Sequence, residues 1–463
     1  VNLRGFILSA SLLLFAQPSF PQSLDQKFQS AVAQYEAGRY AEAATQLEAL
    51  LPQAPESFEI HELLGLVYSS QSQDAKANPH LQKAVRLKPA DAAAHTNLAA
   101  SYMRLGKSAQ AEAEFKKAAD LQPASFDANH NLGEAYIRSN KIAEAIPHLE
   151  RAQQGNPTNY DNGYDLALAY ILTNRLQDAR ALITTLLKQK PNAELHNLLG
   201  QVEEKDRQFV AAANEYETAA HLDPSESNLF DWASELLVHR TLEPAIAVFQ
   251  EASDRYPSST RLLIGLGMAL YSRGNYDDAV TALLKAADLA PSDPRCYLFL
   301  SRAYDSSPSQ ADEVIERFRR FAQLQPANAQ AQYYLAMSLW KGKRAQDPSV
   351  DLSQVESLLK RSTTLDPKLA DAHVQLGNLY FDRSNYPLAI PQYNEALALN
   401  ADLADAHYRL GQAYVRTGNK TEAQQHLEVY QRLRAQHLSE LDRQRAEIRQ
   451  FVYSAKDAPT GKQ

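Results

Sequence analysis

Apolar and small residues return along this chain at helical steps, broken by short polar turns. Between 126 and 149, Leu132 and Tyr136 lie four residues apart on one side of the turn Ser139-Asn140, and Ile142 and Leu149 lie seven apart on the other. Steps of three, four and seven put side chains on one face of a helix, so the segment predicts two amphipathic helices. The pattern then recurs. Pro55, Pro89, Pro123, Pro157 and Pro191 stand 34 residues apart, followed by Pro224, Pro257, Pro291, Pro326 and Pro367. With these prolines at place 32 of a 34-residue frame, repeats start at 24, 58, 92, 126, 160, 193, 226, 260, 294, 329, 370 and 404. A period of this length marks a stacked array of small helical units.

Other places in the frame have mechanical causes. Place 8 is small in all twelve repeats (Ala31, Gly65, Ala99, Gly133, Ala167, Gly200, Ala233, Gly267, Ser301, Ala336, Gly377, Gly411), and place 20 is Ala in ten. Two helices cross at close range only where neither carries a bulky side chain, and these places supply the crossings. Gly133→Leu should therefore overpack the crossing, while Gly133→Ala is expected to be tolerated. Proline after the second helix stops it, having no N–H and clashing with the preceding turn. Gly or Asn at place 15 (Gly38, Gly106, Asn140, Asn174, Gly274, Gly418) suits a left-handed helix end.

With segments such as His130-Asn131-Leu132-Gly133-Glu134-Ala135-Tyr136, the chain resembles the tetratricopeptide repeat family over residues 24–437. The resemblance implies an all-α, right-handed superhelical solenoid of about twelve antiparallel helix pairs. It also implies that first helices line a concave groove, with places 2, 5, 9, 12 and 13 facing into it. In repeats 3 and 4 those places are polar: Thr96, Arg104, Asp127, His130, Glu134 and Arg138, besides Met103, with Asn97 and Asn131 at place 6. In repeats 7 to 11 they include Phe230, Met268, Tyr271, Arg302, Tyr333, Met337, Trp340 and Phe381. Such a stripe is either partly buried between repeats or a peptide-binding groove, since exposed aromatic, Met and Arg side chains are favoured anchors. Because it follows the groove places rather than the packing places, binding is the expectation. Two family specialisations do not carry over. A carboxylate-tail clamp needs a groove lysine beside Asn97 and Asn131, and an asparagine ladder ends here at Asp165.

Composition narrows the chemistry. The 463 residues carry 47 Lys and Arg against 55 Asp and Glu, a net charge of -8, which argues against a nucleic-acid surface. Cys296 is alone, so a disulfide framework or multi-cysteine metal site is excluded, and the residue reads as an inert buried thiol. Gly265-Leu266-Gly267 follows no strand and lies inside a predicted helix. His61, His95, His196, His373 and His407 all fall at place 4, a recurrence that points to packing or surface positions rather than catalysis. No cofactor, metal or enzymatic activity is expected.

The two ends carry further expectations. Arg4 before an apolar stretch at 5–16 has the pattern of a secretory signal within 1–23, of an exported, bacterial-type protein, periplasmic or secreted. The stretch is too short to span a bilayer, and no membrane span is expected in the mature chain. Repeat 10 has 41 residues, its surplus near 342–351. Within 438–463, Leu438, Leu441, Ile448 and Val452 recur at helical spacing, as in a capping helix. The function implied is a non-catalytic scaffold that binds an extended peptide or partner helix in the groove. The alternative is a structural subunit of an envelope secretion or assembly apparatus that uses its convex face and C-terminal helix.

Overall fold

The computed structural model describes residues 22–306, 310–341 and 351–436, and among these every regular element is a helix. The apolar segment at 5–16, most of the repeat 10 surplus and the segment 438–463 lie outside the described residues. Helices alternate as antiparallel pairs. First helices of repeats 2 to 12 begin at Phe58, Ala92, Phe126, Tyr160, Ala193, Glu226, Thr260, Pro294, Ala329, Ala370 and Ala404, the starts of the 34-residue frame. The first helix of repeat 1, Gln22–Glu36, begins two residues ahead of it.

Local chemistry sets these limits. The residue just before many first helices caps it: Ser57 accepts from the Ile60 N–H at 3.3 Å, Asp91 from Ala94 at 2.9 Å, and Asn192 from Leu195 at 2.9 Å. Each such bond satisfies an otherwise unpaired helix-end donor. Second helices stop ahead of the proline because the preceding residue is pushed out of the helical region; Lys88 (φ -129°, ψ 81°) and Gln122 (φ -131°, ψ 73°) show this. At place 15 the backbone is left-handed in Gly38, Gly106, Gly274 and Gly418, in Asn140 and Asn174, and also in Ser72, Arg207, Arg240 and Ser384.

The chain divides into two compact units, 1–215 and 216–463. Each has its own apolar core of paired helices, including Phe28, Phe115, Leu149 and Ile183 in the first and Phe249, Leu283, Tyr297 and Phe318 in the second. Place 8 is a close crossing. A Cβ added at Gly133 would sit 2.5 Å from Leu149 Cδ2 and 2.6 Å from Cγ; at Gly267 it would sit 2.5 Å from Leu283 Cγ. Gly133→Ala therefore needs the Leu149 side chain to shift. Even one methyl group displaces the leucine that closes the crossing. Gly265 serves packing too: a Cβ added there would overlap Phe249 Cε1. Cys296 is fully buried, and burial pushes its thiol up to about 12, far from a reactive thiolate.

Candidate functional site

In unit 1, first helices of successive repeats pack side by side. Their groove places are mostly turned to internal use. Asn97 is 2 % exposed and donates through Nδ2 to Glu62 Oε1 of the preceding repeat at 2.6 Å. Burial raises the Glu62 carboxyl to about 7, against the pull of that bond. Asn131 is wholly covered. His130 faces Asn162 at 3.1 Å and stacks on Phe126. Arg104 donates through Nε to Asp74 at 2.8 Å, and Arg138 pairs with Glu134 at 2.7 Å. Burial also raises the Glu134 carboxyl, with Arg138 opposing it. Of the four polar groove candidates, Asn97 and Asn131 are thus out of solvent, while Arg104 and Arg138 reach solvent but are engaged with carboxylates of their own unit. Glu62 escapes a reading confined to repeats 3 and 4. Its signal is a carboxyl at place 5 next to an amide at place 6 of the following repeat.

In unit 2 the same places look different. First helices of repeats 7, 8, 9 and 10 pack in series, as do those of repeats 11 and 12. Phe230, Met268, Tyr271, Tyr333, Trp340 and Phe381 are half-buried, each resting one side on the unit's core. Neighbouring rings hold several of them: Phe230 lies 6.1 Å from Phe249, Tyr271 lies 5.5 Å from Tyr276, and Phe381 lies 5.3 Å from Tyr386, in edge-on or tilted arrangements. Met337, at 4 % exposure, is covered, so this one of the expected groove residues is not offered to solvent.

Arg302 reaches solvent, with its guanidinium 5.8 Å from the Phe299 ring. Among the described residues it has no ion pair, whereas other first-helix arginines of this unit, such as Arg261 with Glu226 and Arg409 with Asp382, do. Burial raises the Tyr333 phenol, and the carboxylates of Asp371 and Asp305 raise it further, so that ring stays neutral. Among the described residues no group of three or more His, Cys, Asp or Glu is arranged to hold a metal, and no helix is long and apolar enough to cross a membrane.

A helix-pair repeat of 34 residues, with a small residue at each crossing, defines the class. Tetratricopeptide repeat models match residues 28–92, 96–160, 136–202, 230–294, 377–418 and 404–437. The chain belongs to the tetratricopeptide repeat family. It is 23% identical over 209 residues to the Protein CTR9 homolog of Arabidopsis thaliana, covering 44% of this chain and 19% of that protein. To the human mitochondrial import receptor subunit TOM70 it is 23% identical over 208 residues, covering 43% of this chain and 33% of the receptor subunit. The match thus spans a third or less of the length of either curated relative. The crystal structure of yeast Tom70 aligns with a TM-score of 0.37 at 14% identity, over 86% of this chain and 96% of that one.

Proposed function

We propose that this chain is a non-catalytic interaction scaffold whose second unit takes an extended peptide or a partner helix along the first helices of repeats 7 to 11. The observation that carries the reading is the contrast at the groove places of repeats 9 and 10. Tyr333 and Trp340 keep part of their rings in water while anchored on the core, and Arg302, on the preceding first helix, is a cation with no ion pair among the described residues. Rigid aromatic side chains lose little conformational entropy on binding and bury large areas, which makes them effective anchors. The Arg302 guanidinium adds a fork that fits a carboxylate. The guest this favours has an apolar side chain near an acidic residue or a free C-terminus.

The test is selection of random displayed peptides on the full chain, followed by binding isotherms for those recovered. Enrichment of an apolar residue next to a carboxylate, with affinity lost in both Trp340→Ala and Arg302→Glu, is the expected result. Peptides bound equally by the two variants and by the unchanged chain would move the interaction surface elsewhere.

Export belongs to the same proposal and rests on Arg4 and the apolar run 5–16. Sequencing the protein from its native host should find a start between residues 17 and 24; a chain starting at Val1 would remove this part of the reading.

A further inference from the structure

In repeats 2, 3, 11 and 12 the place 4 histidine forms a pin that ties the helix pair together. One side of the pin is constant: His61 Nε2 donates to the Pro55 carbonyl at 3.0 Å, His95 Nε2 to Pro89 at 2.9 Å, His373 Nε2 to Pro367 at 3.2 Å and His407 Nε2 to Ala401 at 3.1 Å. The other side faces place 23, nineteen residues on, on the second helix of the same repeat. There the chemistry varies. His61 meets His80 with Nδ1 to Nδ1 at 3.0 Å, and His407 meets His426 in the same way at 2.8 Å. His95 meets Glu114 at 2.5 Å, and His373 meets Gln392 at 3.0 Å.

These partners respond differently to protons. A ring that gives its Nε2–H to a carbonyl has its lone pair on Nδ1 when neutral, and a second N–H there when charged. Facing a carboxylate, as in repeat 3, it is at its best charged. Facing an amide, as in repeat 11, it is indifferent, because a half-turn of the Gln392 side chain presents either N–H or oxygen. Facing a second imidazole, it holds with at most one proton added to the pair. The doubly charged state sets two N–H groups against each other with no acceptor between them.

We propose that the His61–His80 and His407–His426 contacts are acid-labile latches, which release the two helices of repeats 2 and 12 as the medium becomes mildly acidic, while the His95–Glu114 pin of repeat 3 tightens. The surroundings do not neutralise the effect. Around the first latch, Tyr68 stacks on His80 at 5.8 Å and Glu48 faces it from the preceding second helix. Lys76 lies one turn before His80 over the Tyr68 ring, and Glu56 in the adjoining turn is taken by Lys83. Around the second, Tyr414 stacks on His426 at 5.8 Å and Glu422 lies one turn before it.

Burial first, and the facing ring second, hold His80 and His426 below the ordinary histidine range, with Glu48 and Glu422 opposing. The hydrogen bond to Glu114 holds His95 above it. The signs are therefore opposite. A lowered histidine gives stability that is present above pH about 6.5 and lost as pH falls through its folded value; a raised one gives stability present below about 6.5 and lost as pH rises through its folded value.

Hydrogen exchange of the full chain, read by mass spectrometry between pH 7.5 and 5.5 and corrected for intrinsic exchange rates, tests this independently of any guest. Opening of 58–87 and of 404–430 should rise, approaching about tenfold per pH unit once the opened state binds one proton more than the closed one. Opening of 92–121 should fall. His80→Gln, which copies the pin of repeat 11, should flatten the response of 58–87 alone, and His80→Glu should reverse it. His426→Gln gives the same reading at the other end should the first variant fold poorly. A rise of equal size in all three segments, or a response of 58–87 unchanged by His80→Gln, overturns the proposal.

Discussion

Units 1 and 2 are built on one frame and use the same places in different ways. In unit 1 the groove places of repeats 2 to 4 and the adjoining place 6 hold Glu62, Thr96, Asn97, His130, Asn131 and Glu134, all buried. Asn97 bonds to Glu62 across adjacent first helices, and His130 bonds to Asn162 of the following one. In unit 2 the corresponding places of repeats 7 to 11 hold aromatic and Met side chains, most of them half-buried, and Arg302, without an ion pair among the described residues. The unit 1 bonds tie adjacent first helices together, so that face is engaged within the fold, although Glu62 Oε2, Asn97 Oδ1 and Glu134 Oε2 are buried without a hydrogen-bond partner among the described residues. The unit 2 stripe is mostly apolar ring and thioether surface, and the part of its rings left in water is what the proposed guest would cover. Substitutions at matching places should thus be felt as stability in unit 1 and as affinity in unit 2.

The largest effect expected is one the two units share. Gly133 and Gly267 sit at the same crossing, and a methyl group added at either would lie 2.5 Å from the facing leucine. Replacing either by Leu should cost about 3 kcal/mol, and by Ala about 1 kcal/mol, because the facing leucine must leave its rotamer. Denaturant melts that find the two sites alike would confine the difference between units to the groove face. A site where Leu is as benign as Ala would show that the crossing relaxes.

The next effect separates the units. Trp340→Ala should weaken a selected guest peptide by about 2 kcal/mol or more while leaving the circular dichroism spectrum unchanged. Asn97→Ala should do the reverse. It leaves Glu62 Oε1 without its donor in a buried setting, at about 1–2 kcal/mol of stability, and should not change guest affinity. Isotherms and melts on both variants give four numbers, and any other distribution of losses contradicts the comparison.

Much of the architecture is legible in the sequence because its causes are local. A proline stops most second helices, a small residue marks each crossing, and first-helix starts follow to the residue in eleven repeats. What the frame cannot express is distance. "Small at place 8" does not tell how closely Leu149 approaches Gly133, so the cost of one methyl group is invisible until the helices are placed. The polar face is misleading for a related reason. Asn97 looks like a groove residue by its place, but its partner Glu62 lies 35 residues upstream, and only packing brings the two together. The histidines at place 4 show their recurrence in the sequence. Their partners at place 23 carry the chemistry, and they vary from repeat to repeat, so no single motif announces them.

Glu62 also gives unit 1 a pH dependence that unit 2 should lack at this face. Its carboxyl is raised from an ordinary value to about 7 by burial, so the folded state holds a proton that the unfolded state has lost. For a raised acid, stability is greatest when the group is protonated and declines as pH rises towards 7. Glu62→Gln keeps an acceptor for Asn97 and removes the charge. It should stabilise the chain by about 1–2 kcal/mol at pH 8 and have little effect at pH 4.5. Melts at the two pH values check this, and a variant less stable at both would mean that the carboxylate is satisfied within the fold.

The smallest effect concerns the turns, where the two units behave alike and place 15 is left-handed in each of the ten repeats whose place 15 is among the described residues. Gly occupies it in four repeats, but Arg207 at the end of unit 1 and Arg240 early in unit 2 adopt φ near +60° with a full side chain. A left-handed conformation costs an L-residue about 1–2 kcal/mol per position, and glycine avoids that cost while losing more backbone entropy on folding. The two terms partly offset each other, so Arg240→Gly should stabilise by up to about 1 kcal/mol. Arg240 is exposed, which removes packing from the comparison. The same substitution at Arg207 should give a gain of similar size if the turns are equivalent in both units. Paired melts decide it: a gain at one turn and a loss at the other would show that the arginine side chain, and not the backbone alone, holds one of these turns closed.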